Sequence, residues 1–226
     1  MRVGVGFLMW GSFEDRSDGV GRTPPVLALA ALPGNALGRL GERSTTSSAA
    51  WAAAGAAVRM LHDAPLPPWP GRTLDAIASE LDRECAWLTR SGVVTTGVIT
   101  SNRRIAEIAL RSWTPVFTHG DLQASHAFVT DDEVAGVIDW SEAAQGDPLY
   151  DLATLTLGHP EHLDDVVVGY GAVVDLEVIR AWWTLGDRDT PMPDGQLLFA
   201  GEVLQRELHQ RTLIPELPPP WENLCQ

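Results

Sequence analysis

Lysine is missing from this chain of 226 residues: every one of its sixteen side-chain cations is arginine. Any chemistry that needs a side-chain amine must therefore find a substitute or another chain. Cations as a class are sparse, sixteen against thirty acids, for a formal net charge of -14. This deficit argues against a nucleic-acid backbone as partner, which needs a basic patch, and suits a neutral or cationic ligand. The same excess is common in acidic cytosolic proteins as a solubility device, so it carries no functional assignment. Cysteine is nearly absent as well. Cys85 and Cys225 lie far apart, with neither metal-type spacing nor the framework of a stapled secreted domain, and read as free thiols in a reducing cytoplasm. No apolar run is long enough to span a membrane. The apolar start, Met1 to Trp10, is short, is followed by Glu14-Asp15-Arg16 and lacks a small-residue cleavage site, so no signal peptide is expected.

What is present is enough for a core. A hydrophobic content of 45% over this length fits one domain, or one domain and a fragment. Residues 1–24 are glycine-interrupted and read as a poorly defined lead-in. Pro25-Val26-Leu27-Ala28-Leu29-Ala30 reads as a buried strand stopping at Leu32-Pro33-Gly34, so residues 25–44 form a linker strand, and 45–226 form a mainly helical body. Ser44 to Ser48 offer caps for an alanine-rich helix from about Ala49 to His62. After the proline-rich stretch Pro65 to Gly71, Ile77, Leu81, Cys85 and Leu88 share one face of a second helix ending at Ser91-Gly92. Ile105, Ile108, Ala109 and Ser112 suggest a third, from about Ser101 to Trp113. Val116 to Thr118 reads as a strand. Ala127-Phe128-Val129 and Val134 to Ile138 flank Thr130-Asp131-Asp132 as an antiparallel hairpin. Asp147-Pro148 caps a helix through about Leu157, and three more helices are expected near 161–171, 175–185 and 195–210.

The hairpin carries the chemistry. Asp121 lies in the loop before it, His126 opens its first strand, and Asp139 closes its second, between the apolar Ile138 and Trp140. An acid embedded in an apolar strand end costs several kcal/mol unless it is paired or bound to a cation. Two acids and an imidazole on one edge suit phosphoryl transfer: a metal neutralises the donor's charge while a carboxylate orients the acceptor hydroxyl. Taken singly, Asp121 reads as a turn residue and His126 as an ordinary strand histidine; the joint spacing reverses that reading.

His119-Gly-Asp121-Leu-x-x-x-His126 and Ile138-Asp139-Trp140-x-Glu142-Ala143-x-x-Gly146-Asp147-Pro148-x-x-Asp151-Leu152 resemble the aminoglycoside phosphotransferase family. Leu61-His62 closing the alanine-rich helix and the Leu32-Pro33-Gly34 linker add to the resemblance, which covers roughly residues 25–210. It implies an α+β, protein-kinase-like fold, represented mainly by the helical C-terminal lobe. It implies Asp121 as catalytic base, and Asp139 and His126 as metal ligands. His119, Asp147 and Asp151 would be structural supports of the catalytic loop, and Ala28, Ala30 and Leu32 would contact the nucleotide. ATP and Mg2+ are the implied cofactors, and the acceptor is a hydroxyl of an aminoglycoside- or macrolide-like antibiotic. Histidine at 126, where the family usually has asparagine, looks more like the macrolide phosphotransferase branch.

The resemblance breaks before the linker. Members of the family carry a β-rich lobe there, with a glycine loop and a phosphate-pairing lysine; Gly4-x-Gly6-x-x-x-x-Gly11 is a poor stand-in. The expectation is a cytoplasmic small-molecule phosphotransferase, truncated and impaired, without a nucleic-acid or membrane partner. The alternative is a non-catalytic kinase-like binding module, and a metal-dependent hydrolase built on His119, Asp121, His126 and Asp139 is a third reading. Glu161, Asp164 and Asp165 read as a solvated helix face rather than a cationic-substrate pocket, and Trp182 and Trp183 as core.

Overall fold

The computed structural model describes residues 31–92 and 94–186. Ala28, Ala30, the lead-in and the helix expected near 195–210 lie outside them. The chain forms two compact units: one combines the residues up to Gly71 with Thr114–Val174, the other Arg72–Trp113 with the residues from Asp175.

The first unit holds the hairpin. Helix α1 spans Ser48–His62, and its Ser47 cap accepts a hydrogen bond from the Ala50 N–H at 3.2 Å. Alanine gives the helix high propensity, but its buried stripe, Trp51, Ala54, Gly55, Val58 and His62, is what fixes its place. That stripe meets helix α5 (Leu163–Tyr170), which buries Leu163, Val166 and Tyr170. The contact is backbone-close, because Gly55 rests on the Val166 carbonyl and Gly169 on that of Ala52.

Two small antiparallel sheets lie in the same unit. One has the order β1 (Asn35–Ala36), β3 (Ala127–Thr130), β4 (Glu133–Val137); the other pairs β2 (Val116–Thr118) with β5 (Ala144–Gly146). The β3–β4 turn places Asp131 and Asp132 at φ of 50° and 62°, the mirror-image turn that matches strand twist in two-residue hairpins. Asp132 is held there by the Ser47 hydroxyl at 2.5 Å. Helix α4 (Pro148–Thr156) starts as the Asp-Pro pair predicts, with Asp147 accepting from the Leu149 N–H at 3.1 Å.

The second unit is built on helices α2 (Leu74–Ser91), α3 (Thr96–Ala106) and α6 (Leu176–Gly186). Leu81, Cys85, Leu88, Ile99 and Ala106 form its core cluster, and burial pushes the Cys85 thiol pKa up. Trp182 and Trp183 are buried, as expected of core residues. Helix α3 departs from the sequence reading: it begins five residues earlier than Ser101 and ends in a tight 3-10 turn, Glu107–Ala109. The stripe that decides it is Ile99, Asn102, Ala106 and Ala109, whereas Ile108 is 42% exposed. Burying Ile99 among Leu81 and Leu88 draws the preceding β-branched residues into the helix, against their modest propensity.

The architecture is α+β, helical with small antiparallel sheets. Among the described residues no helix is long and apolar enough to cross a membrane.

Candidate functional site

Local pairing assembles the site. The Ile138 N–H donates to the His126 carbonyl at 3.0 Å, extending the β3–β4 ladder one pair past Ala127–Val137 and setting His126 beside the residue that follows Ile138. On the other side, Gln123 N–H donates to the Asp121 carbonyl at 3.0 Å and His126 N–H to the Gln123 carbonyl at 2.9 Å. These turns fold Asp121 back toward the imidazole. One ligand atom from each of Asp121, His126 and Asp139 lies within 4.8 Å of the others.

Asp139 is not embedded in a strand end as the sequence suggests. Strand β4 stops at Val137, and Asp139 adopts the left-handed conformation, φ 63°, with its side chain 51% exposed. The carboxylate avoids the desolvation cost by leaving the ladder, and its Oδ1 accepts from the Ser141 hydroxyl at 3.0 Å. Trp140 points elsewhere: its indole N–H donates to the Val137 carbonyl at 2.9 Å and its ring lies 4.6 Å from that of His119.

His126 has a defined tautomer. Its Nδ1 sits 2.8 Å from the Asp121 carbonyl, which only accepts, so Nδ1 carries the proton and Nε2 offers a lone pair. That Nε2 faces Asp139 Oδ2 at 3.9 Å. Asp121 is 37% exposed at its side chain, with Oδ1 accepting from the Gln123 amide at 3.1 Å. The donor set, one imidazole nitrogen and two solvent-reaching carboxylates, fits a divalent cation.

Beneath these groups lies a buried frame. His119 is fully buried; its Nε2 donates to the Ile138 carbonyl at 2.9 Å and its Nδ1 accepts from the Asp121 N–H at 3.3 Å. One side chain thus ties the Asp121 loop to the Asp139 segment, and burial holds its pKa below the ordinary histidine value. Asp151, also fully buried, accepts from the N–H of His119 at 2.7 Å and of Gly120 at 3.0 Å. Gly120 has φ +86° and packs against the Glu142 carbonyl, a conformation and a closeness that a Cβ would forbid. Asp147 accepts from the Leu149 N–H at the start of α4, the helix that carries Asp151.

His62 and Tyr170 were not legible as parts of this frame. His62 Nε2 meets Asp151 Oδ2 at 3.2 Å, and its Nδ1 pairs with the Tyr170 hydroxyl at 3.0 Å. The sequence marks His62 only as the residue closing α1, and nothing local marks Tyr170, 108 positions away. Glu161 and Asp164 stand on the α5 side, while Asp165 accepts from His162 at 3.0 Å; the three do not join the cluster of Asp121, His126 and Asp139. Leu32 packs its side chain against Gly136 of β4.

The model of the phosphotransferase enzyme family matches residues 10–191. No curated protein matches the chain. Solved structures similar to it include the apo macrolide 2′-phosphotransferase of Brachybacterium faecium, at 21% identity and TM-score 0.51, covering 69% of this chain and 60% of that one. The GDP complex of an aminoglycoside 2′-phosphotransferase is similar at 21% identity and TM-score 0.54, covering 69% and 57%. A GDP and kanamycin complex of an enzyme of that type matches at 17% and 0.53, covering 80% and 64%. The chain therefore spans about 60% of the length of such relatives.

Proposed function

The chain belongs to the phosphotransferase enzyme family, and from that premise we propose that it contributes the acceptor and metal half of a small-molecule phosphotransferase site. The convergence of Asp121, His126 and Asp139 within 4.8 Å is the observation that carries this reading.

Asp121 takes the acceptor hydroxyl. Its exposed carboxylate orients the O–H and accepts the proton as the acceptor oxygen bonds to the γ-phosphorus of ATP; the bond to the bridging oxygen breaks and ADP leaves. His126, through Nε2, and Asp139, through its carboxylate, would hold the magnesium ion. When bound, that ion neutralises charge on the phosphate oxygens. His119 and Asp151 keep the Asp121 loop at a fixed distance from Asp139, so the reacting groups need no reorganisation. Asp147 supports the loop indirectly, by starting the helix that carries Asp151. Ala28, Ala30 and Leu32 would line the adenine side. The acceptor is an aminoglycoside- or macrolide-like molecule, which the acidic chain suits, and the protein works in the cytoplasm.

Turnover is measured with ATP, Mg2+ and a panel of aminoglycosides and macrolides. Transfer lost in both Asp121→Asn and Asp139→Asn is the expected result; transfer unchanged in both overturns these roles. The lysine-free sequence favours a second reading, a kinase-like module that binds without transfer. Calorimetry separates the two: Mg2+-dependent nucleotide binding is required by the first and not by the second.

A further inference from the structure

The segment that follows Asp139 is held from outside by the proline-rich stretch Pro65 to Gly71. Three contacts make the hold. The Trp69 indole N–H donates to the Ala143 carbonyl, the Gln145 side-chain amide donates to the Pro67 carbonyl at 2.8 Å, and Gly71 lies so close to the Gln145 carbonyl that a Cβ would collide with it. Pro65, Pro67, Pro68 and Pro70 restrict the backbone of this stretch, so it behaves as a stiff strap rather than a loose loop.

What the strap holds is the ribbon that carries both acids. Strands β2 and β5 pair over three positions only, Val116–Gly146, Phe117–Gln145 and Thr118–Ala144. Asp121 follows the end of β2 and Asp139 precedes the start of β5, so the ribbon is the shared base of the two carboxylates. A two-stranded ribbon of this length is marginal alone. The Thr118 hydroxyl reinforces it from within, donating to the Ala144 carbonyl at 2.9 Å. From outside, helices α1 and α4 pack on β2, and the strap adds partners at Ala143 and Gln145. Glu142, next to Ala143, bears directly on Gly120 of the Asp121 loop. Movement at Ala143 is thereby passed to both sides of the cluster. Trp69 itself is 51% exposed, so its burial explains little of its placement; its N–H does.

We infer that the Pro65–Gly71 strap, through Trp69 and Gln145, sets the spacing between Asp121 and Asp139 and so tunes the metal site. Trp69 and Gln145 are positioning residues and touch neither metal nor substrate. The inference rests on the metal role proposed above for His126 and Asp139.

Mn2+ binding to the full chain, followed by electron paramagnetic resonance with the metal alone, tests it. Wild type is expected to bind and Asp139→Asn to lose binding. Trp69→Phe, which keeps an aromatic ring and removes the N–H donor, is expected to weaken affinity about tenfold, the lower end of the effect of supporting groups on metal sites. Gln145→Ala should do the same, and both should keep the wild-type thermal midpoint. Ile99→Ala, which opens the core cluster of the second unit and touches neither the strap nor the frame beneath Asp121, serves as the control and should keep the affinity. Wild-type affinity in both strap variants overturns the inference and leaves the proposed function standing. Weakening by Ile99→Ala equal to that by Trp69→Phe also overturns it, since general loosening would then be the cause. No Mn2+ binding in wild type overturns both readings.

Discussion

Replacing Asp151 by asparagine removes one acceptor from a buried site where three donors meet. Asp151 Oδ2 accepts from the His119 N–H at 2.7 Å and from His62 at 3.2 Å, while Oδ1 accepts from the Gly120 N–H at 3.0 Å. An asparagine would keep its oxygen at the Oδ2 position, where it satisfies two donors, and would turn its NH2 toward the Gly120 N–H. The lost bond to a charged acceptor is worth about 1.5–3 kcal/mol. The two that survive become neutral and lose roughly half their strength, about another 1 kcal/mol each. The expected destabilisation is therefore about 3.5–5 kcal/mol, a large share of a domain's stability. Urea denaturation followed by tryptophan fluorescence measures it, with equal slopes confirming that only stability has changed. A loss under about 1 kcal/mol would refute the reasoning, because the frame beneath Asp121 would then not depend on the charge of Asp151.

Other consequences are open to similar checks. His126→Asn replaces an imidazole nitrogen by an amide oxygen; since Mg2+ prefers oxygen, the affinity ratio of Mn2+ to Mg2+ should fall severalfold in competition titrations. Gly55→Ala drives a methyl into the Val166 carbonyl and should destabilise by about 1–3 kcal/mol, read from the shift in denaturation midpoint. His159 is fully buried, neither ring nitrogen makes a well-formed hydrogen bond, and burial holds its pKa below the ordinary value. The unfolded chain therefore binds the proton more readily than the folded one, so stability declines as pH falls below about 6.5, by up to about 1.4 kcal/mol per pH unit. His159→Leu should flatten that decline in thermal melts between pH 7 and 5; an unchanged slope would show that other groups cause it.

The sequence alone determined the parts of the site that local rules govern. The hairpin from His126 to Asp139 follows from two apolar runs flanking Thr130-Asp131-Asp132, so the meeting of His126 with Asp139 was readable within fourteen positions; its register was not, because Thr130 pairs with Glu133 to leave a two-residue turn and the ladder shifts between Phe128 and Val129. The Asp147 cap was readable for the same reason, because a cap is a bond between neighbours, whereas Ser44 to Ser48 offered several candidates among which the structure selects Ser47. The face of α3 was not, since Ile99, Ile105 and Ile108 allow more than one helical stripe and only packing against Leu81 and Leu88 chose among them. The conformation of Asp139 was misread on the assumption that an acid between two apolar residues shares their burial; the chain instead turns it to solvent. The resemblance marked His119 and Asp151 as supports of the catalytic loop, but their partners in the frame beneath the site belong to tertiary structure. Asp151 meets His62 across 89 positions, and Trp69 meets Ala143 across 74. Spacing along a helix or hairpin fixes which residues can carry the chemistry, because those geometries repeat. How tightly the groups are held depends on contacts between distant segments, which no local period encodes and only the folded chain decides.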